Sequence, residues 1–576
     1  TQSTWGNTST AMETVNSFKG YGKVDPVENE VFRRKTMRRV GIVVVSAVVL
    51  IALVVGTIIG VVLSEKNKDS GSPPPPANTV QNLCALATYP DSCYSTLSLA
   101  NTSDPQALFK LSLKSAYDSL SDVKDLPDRL AVIAGGSLNG SLTDCKDLIV
   151  NALETLNDTV YSVDGVDVSQ LSLAMVDDLK TSLSSVITDR ETCLDSLTEM
   201  KATSIKDKIA SATQNFTEIT SNSLAIVSKL FGDFSVKNRK LLGYESGFPR
   251  WLREEDRRIL QSSVNPKANV TVANDGSGDV KTIAEAVAKI PKKSASRFVI
   301  YVKAGIYNEL IDLPKSLWNV MIYGDGMGKT VITGSRSISD GITTFRTATF
   351  SIAGKNFVAK DITFRNTAGA KNHQAVAFRS GSDTSVYFQC EFDAYQDTLY
   401  SHSNRQFYSN CKITGTVDFI FGNAAAVFQD CQILPRQPME NQFNTITAQG
   451  KVDPNQNTGI SIQKCNISAN GAVSAKTYLG RPWKVYSTTV IMQTDIGAVV
   501  DAAGWIPWVV GFDPPKTIFY GEYQNTGASA NVNTRVKWRS YHPALNVNEA
   551  SKFTVGSFID GNTWISGSSV AFSDGL

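Results

Sequence analysis

Between Gln374 and Asp418 one spacing occurs twice: Cys390 and Cys411 are 21 residues apart, and so are Asp397 and Asp418. Each Asp follows its Cys by 7 residues, and Gln374 precedes Gln396 by 22. A strand-rich repeat of this length, broken by Gly, is one coil of a stacked β-solenoid. Residues one coil apart then lie about 4.8 Å from each other. On that arithmetic Gln374, then Gln396 with Asp397, then Asp418 occupy three successive coils and meet at one surface. Two carboxyl groups held so close do not both ionise readily, and one keeps its proton. The pair offers a carboxylate that can attack a carbonyl carbon and an acid that can protonate a leaving alkoxide. The two amides can donate N–H groups to a developing oxyanion. A lone Asp is more often a turn cap or half of a surface ion pair. Four such residues in one-coil register favour catalysis.

Other chemistries find little support. The chain has three histidines, His373, His402 and His542, and no G-x-S-x-G turn to present a nucleophilic Ser. No HExxH and no clustered His/Cys set appears, so neither a metal nor another cofactor is expected.

The elements that must carry these residues lie between 264 and 576. Runs such as FVIYVKAGIY, NVMIYGDG, SVYFQCEF and GISIQKCNI are short, β-rich and punctuated by Gly and Asn. FQCEF, YSNCKI, FQDCQI and IQKCNI read as one motif, with Cys390, Cys411, Cys431 and Cys465 in register. Spacing near 21 residues argues for a parallel β-helix, since sandwich strands recur every 8–12 or so. Stacked cysteines fall within the Cα separation a disulfide needs, so Cys390–Cys411 and Cys431–Cys465 are feasible bridges, with unbridged stacking the alternative. The amphipathic stretch within DGSGDVKTIAEAVAKI is expected to cap the first coil.

Ahead of this half the chain changes character several times. Residues 1–39 form a polar tail ending in a basic cluster. Val40–Leu63 is a run of 24 uncharged residues, about 36 Å as a helix, which reads as a transmembrane signal anchor with the N-terminus cytosolic. A Pro-rich linker covers 64–78. Sequons at Asn101, Asn139, Asn157, Asn215, Asn269 and Asn466, and eight cysteines split four and four between the halves, suit a secreted glycoprotein with disulfides. Residues 79–233 carry helical periodicity and read as an all-α bundle of about four helices, with Cys84–Cys93 closing a hairpin and Cys145–Cys193 tying two helices. Within 234–263, Arg239–Leu242 and Arg257–Leu260 repeat a dibasic-plus-aliphatic run, read as sites for a processing protease. Residues 264–576 hold 29 Lys+Arg against 23 Asp+Glu, a net +6, so the remainder is 27 against 31, or −4. A mildly basic half suits an anionic partner.

Two resemblances follow. LCALATYPDSCYSTLS, with the four-cysteine pattern, resembles the plant invertase and pectin methylesterase inhibitor family. GIYNE (305–309), QAVAFR (374–379), QDTLY (396–400), VDFIFG (417–422) and LGRPW (479–483) resemble, in order, the signatures of plant pectin methylesterases. The likeness implies an all-α pro-domain followed by a right-handed parallel β-helix. It implies Asp418 as nucleophile, Asp397 as acid and then base, and Gln374 and Gln396 as the oxyanion hole. Arg481 would hold Asp418 and a sugar carboxyl, Trp483 would stack on a galacturonate ring, and Thr344 would touch substrate. The expected reaction removes methyl esters from homogalacturonan in the plant cell wall, without a metal. Pectin, a processing protease, an inhibitor protein and, through the anchor, a membrane are the partners implied; nucleic acid is not. The precursor belongs in a secretory membrane and the mature part in the wall. A β-helical lyase or polygalacturonase, or a non-catalytic inhibitor or wall-binding protein, are the alternatives; a polygalacturonase would need carboxylates about 6.5–9.5 Å apart.

Overall fold

The computed structural model describes residues 77–100, 102–134, 136, 138–166, 171–231, 267–565 and 570–576. The apolar run 40–63 and the processing segment 234–263 lie outside them. Among the described residues no helix is long and apolar enough to cross a membrane.

The first half is helical, as its periodicity demands: α1 (Ala77–Ala85), α2 (Pro90–Leu97), α3 (Pro105–Ser121), α4 (Leu126–Ile133), α5 (Asn139–Ser162), α6 (Leu173–Glu199), α7 (Thr203–Ala212) and α8 (Gln214–Ile226). The long helices α3, α5, α6 and α8 close a ring in which each touches the next, and this is the expected four-helix bundle. Asp104 starts α3 by accepting from the N–H groups of Gln106 and Ala107, with Pro105 at the first position where no N–H is needed. Leu108, Leu113, Leu156, Leu183 and Phe216 fill the interior. Cys84–Cys93 joins α1 to α2 and Cys145–Cys193 joins α5 to α6.

The second half winds into three parallel sheets of 11, 8 and 7 strands, in which each strand pairs with its equivalents on the coils before and after. Register follows the sequence spacing: Phe378 pairs with Leu399, and Leu399 with Ile420. Inside, like side chains stack; Tyr387, Tyr408 and Phe428 lie with successive ring centroids 4.5 Å apart. Gln389, Asn410, Asp430, Lys464 and Gln493 all have φ between 52 and 56°, a left-handed residue at the same corner of each successive coil. That single bend makes a sharp corner and turns the next residue inward. The short helix Ile283–Val287 carries a Thr282/Glu285 capping box and buries Ile283 and Ala286 at the first coil. Glu309, the last residue of GIYNE, accepts from the N–H groups of Ile283 and Ala284 at 2.9 Å each, so it anchors this cap.

One expectation is corrected. Cys390, Cys411, Cys431 and Cys465 stack as foreseen, but all four are free thiols. In-register parallel neighbours hold their β-carbons near the strand spacing of about 4.8 Å, wider than the roughly 3.8 Å a disulfide prefers. The thiols turn to carbonyls instead: Cys411 to Tyr387 at 3.3 Å and Cys465 to Phe428 at 3.4 Å.

Candidate active site

Four strands of the seven-stranded sheet frame the site: β1 (Leu399–Ser401), β2 (Ile420–Gly422), β3 (Asn444–Gln449) and β4 (Thr477–Gly480). Asp397 stands two residues before β1 and Asp418 two before β2. Both have left-handed backbones, φ 62° and 51°. Such a conformation costs on the order of 1 kcal/mol in a non-Gly residue and is tolerated best by Asp and Asn. It aims both side chains out of the sheet. The Asp397 N–H donates to the Val417 carbonyl at 3.0 Å, and Gln374 bridges Gln396 in parallel register. The four residues singled out by their spacing therefore share one row across three coils. The side-chain amides of Gln374 and Gln396 make no hydrogen bond among the described residues, which leaves their N–H groups free for a ligand.

The two carboxyl groups have opposite surroundings. Arg481, one residue past β4, grips Asp418 with two bonds, Nε to Oδ1 at 2.8 Å and a terminal nitrogen to Oδ2 at 2.7 Å. This fork-to-fork pairing is the strong form of an ion pair. The Thr445 hydroxyl donates to Asp418 Oδ1 at 2.6 Å and accepts the Asp418 N–H at 2.8 Å. Asp397 lacks such partners. Burial, then the Asp418 charge, then Glu199 hold its carboxyl well above the usual range, against a smaller pull from Arg481. One site thus combines a paired carboxylate with a neutral acid.

The bundle lies over this row. Leu142, Leu148, Leu194, Leu197 and Ile209 join Phe345, Val376, Tyr400, Phe421 and Ala448 in one apolar cluster, with Trp483 packed against it. Glu199 Oε2 accepts the Thr344 N–H at 2.8 Å, and burial pushes its carboxyl up to about 7. Asp195 pairs with Lys484 at 2.5 Å, Asp178 with Arg405 at 2.7 Å, and Asp144 with Arg346. The acidic first half and the basic second half meet here as anion and cation. Thr344 and Trp483 lie under this cover; Trp483 is half-buried, and a Cβ on Gly450 would come within 2.8 Å of its ring.

Two contributors escaped the sequence reading, Thr445 and Glu199; Trp508 stacks on Arg481, whose guanidinium sits 4.2 Å from the ring centroid. Trp505 is 1 % exposed and donates to Glu522, so it packs beneath, whereas Trp508 is 40 % exposed. His402 is buried against Thr192 of the bundle at 2.8 Å, and burial pushes it down to about 3, which keeps it neutral.

Residues 269–562 match the family described as Pectinesterase, and residues 78–226 the one described as Plant invertase/pectin methylesterase inhibitor. The chain belongs to the pectinesterase family. It is 52 % identical to Pectinesterase 1 of Arabidopsis thaliana, over 96 % of this chain and 98 % of that one. Pectinesterase/pectinesterase inhibitor U1 of Solanum lycopersicum is 42 % identical, over 94 % and 97 %. A solved structure, a pectin methylesterase from carrot, is 53 % identical with a TM-score of 0.53; it is matched over 100 % of its length by 55 % of this chain. That solved chain, matched over its whole length, thus stands folded without a counterpart to the rest of this one.

Proposed function

We propose that the β-helical half removes methyl esters from homogalacturonan, yielding methanol and polygalacturonate. The observation that carries this reading is the stacked pair, Asp418 ion-paired to Arg481 beside a neutral Asp397. Asp418 attacks the ester carbonyl carbon, and the oxyanion accepts from the amides of Gln374 and Gln396. Asp397 gives its proton to the departing methoxide, leaving an acyl-Asp418 anhydride. Water then attacks this anhydride, Asp397 takes the water's proton, and Asp418 is regenerated. Arg481 and Trp508 form a cationic, aromatic wall suited to a uronate ring, with Thr344 and Trp483 along the same row. Pairing of the aspartates on neighbouring coils speaks against the wider separation of a polygalacturonase. Methanol release by residues 264–576, abolished by Asp418→Ala, is the deciding measurement; unchanged release in the variant would end the reading.

In the whole chain the bundle acts as an inhibitor in cis, because Glu199 and the apolar cluster occupy the ground above Thr344 and Trp483. Cleavage at Arg239–Leu242 or Arg257–Leu260 would free the esterase from both the bundle and the anchor at 40–63, and so deliver it to the wall. A full-length chain with both dibasic runs replaced should release methanol at least tenfold more slowly than residues 264–576. Equal rates would refute inhibition in cis.

A further inference from the structure

A groove of about 910 Å³ separates α5 and α6 of the bundle from the corner where the coils leave the seven-stranded sheet. Its β-helix wall has a cationic excess, Lys293, Lys315, Lys355 and Arg405 against Asp383 and Asp560, with Arg405 paired to Asp383. Trp318 is fixed there by a 2.8 Å bond from its Nε1 to the Lys315 carbonyl. Lys355 Nζ lies 4.1 Å and Lys293 Nζ 5.7 Å from the Trp318 ring centroid. Both lysines are otherwise exposed, and neither forms an ion pair among the described residues. The ring thus holds two ammonium groups in place without neutralising them. Lys315 is the third: its Nζ donates to the Asn151 carbonyl at 2.6 Å and to the Thr155 hydroxyl, both on the bundle. Asp189, buried behind Lys315, is the anion that acts on it most; Glu154 and Asp158 act on it next and face the platform across the groove from the bundle wall.

The Lys293, Lys315 and Lys355 platform stands two to five coils from the aspartate pair, about 10–24 Å along the axis, and at the far end of the strands. A fully esterified polymer offers it no charge; the de-esterified polymer offers a carboxylate on every ring. We infer that Lys293, Lys315 and Lys355, arrayed about Trp318, form a second binding site, specific for the de-esterified uronate chain, which Glu154 and Asp158 cover while the bundle is in place. This inference rests on the reaction proposed above. It makes the enzyme grip the product end of a polymer while the aspartate row works on neighbouring esters, and so lengthens runs of freed carboxylates.

The test is calorimetric titration of residues 264–576 with an unesterified galacturonate oligomer, alongside the variant Lys293→Gln/Lys315→Gln/Lys355→Gln. Affinity for the oligomer should fall at least tenfold, while kcat/KM on a short, fully esterified oligomer stays within twofold. On a long half-esterified polymer the variant should leave scattered rather than contiguous carboxylates. Thermal melting checks that the variant folds. If it does not, Lys355→Gln should lose affinity that Lys355→Arg keeps. In the full chain, Glu154→Gln/Asp158→Asn should tighten oligomer binding. Undiminished binding by the lysine variants, or equal affinity of the wild type for polyglutamate, would overturn the inference. Absence of methanol release by the wild type would instead overturn the esterase reading, and the titration would still report on the site.

Discussion

Replacing Thr445 by Val keeps the shape of the side chain and deletes two hydrogen bonds at Asp418, those of 2.6 and 2.8 Å. A hydrogen bond to a charged group is worth about 1.5–3 kcal/mol, and an orphaned buried N–H costs about 1 kcal/mol or more. Arg481 still holds the carboxylate through two bonds, so gross displacement is not expected and the loss falls at the lower end, about 1.5–2.5 kcal/mol. At 1.4 kcal/mol per decade this is roughly a 10- to 60-fold fall in kcat/KM. Thr445 is fully buried behind Asp418 and presents no surface to a polymer, so the fall should appear in kcat with KM little changed. Methanol release by residues 264–576 on methyl-esterified homogalacturonan is the assay. Thr445→Ser, which keeps the hydroxyl, should recover to within about threefold of wild type. A Val variant within twofold of wild type in kcat would show that Asp418 needs no orientation beyond Arg481.

Asp397→Asn removes the transferable proton and should lower kcat by about 10²–10⁴ while leaving oligomer binding nearly unchanged; retained turnover would remove Asp397 from the mechanism. The separated bundle should bind the β-helical half more weakly as pH rises. Glu199 and Asp189 are each pushed up to about 7 when docked, chiefly by burial, so the docked state holds protons that separation releases. Their contribution is complete below the free carboxyl range near pH 4 and fades as pH climbs through 7, about 2 kcal/mol apiece between pH 5 and 7. His402, pushed down to about 3, opposes this by charging on separation, up to about 2 kcal/mol. Asp144, Asp178 and Asp195, also raised by burial, act in the same direction as Glu199 and Asp189, so association should be at least about tenfold weaker at pH 7 than at pH 5. Association that is flat or tightens over that range, measured by calorimetry, would contradict it. Cys145→Ser/Cys193→Ser opens a loop spanning 48 residues and should destabilise the bundle by about 4 kcal/mol on the loop-entropy estimate, read as a lower urea midpoint for that half alone.

The row of Gln374, Gln396, Asp397 and Asp418 was legible because the coils through Phe378, Leu399 and Ile420 step by an unbroken 21 residues. Thr445 was not, since the next step carries an insertion: Ile420 pairs with Thr447, 27 residues on. A period read from two coils does not survive added loop. The cysteine ladder could be read as a stack but not as thiols, because the choice turns on a β-carbon separation of about 1 Å that sequence does not encode. The charge imbalance did not say that Asp144, Asp178 and Asp195 would pair across the two halves. Trp505 and Trp508 have the same residue type three positions apart, and only the path of the loop decides which one is exposed.

The 21-residue link from Asp397 to Asp418 also constrains how this lineage can vary. One residue gained or lost inside it would push the second carboxylate off its corner, and the solenoid could survive as a scaffold that no longer turns over ester. The following step is six residues longer, 27 against 21, and the stack is unbroken. Length changes that tune which polymers fit should therefore accumulate beyond Phe421, where the wall of the groove is built, and be purged from the coil before it.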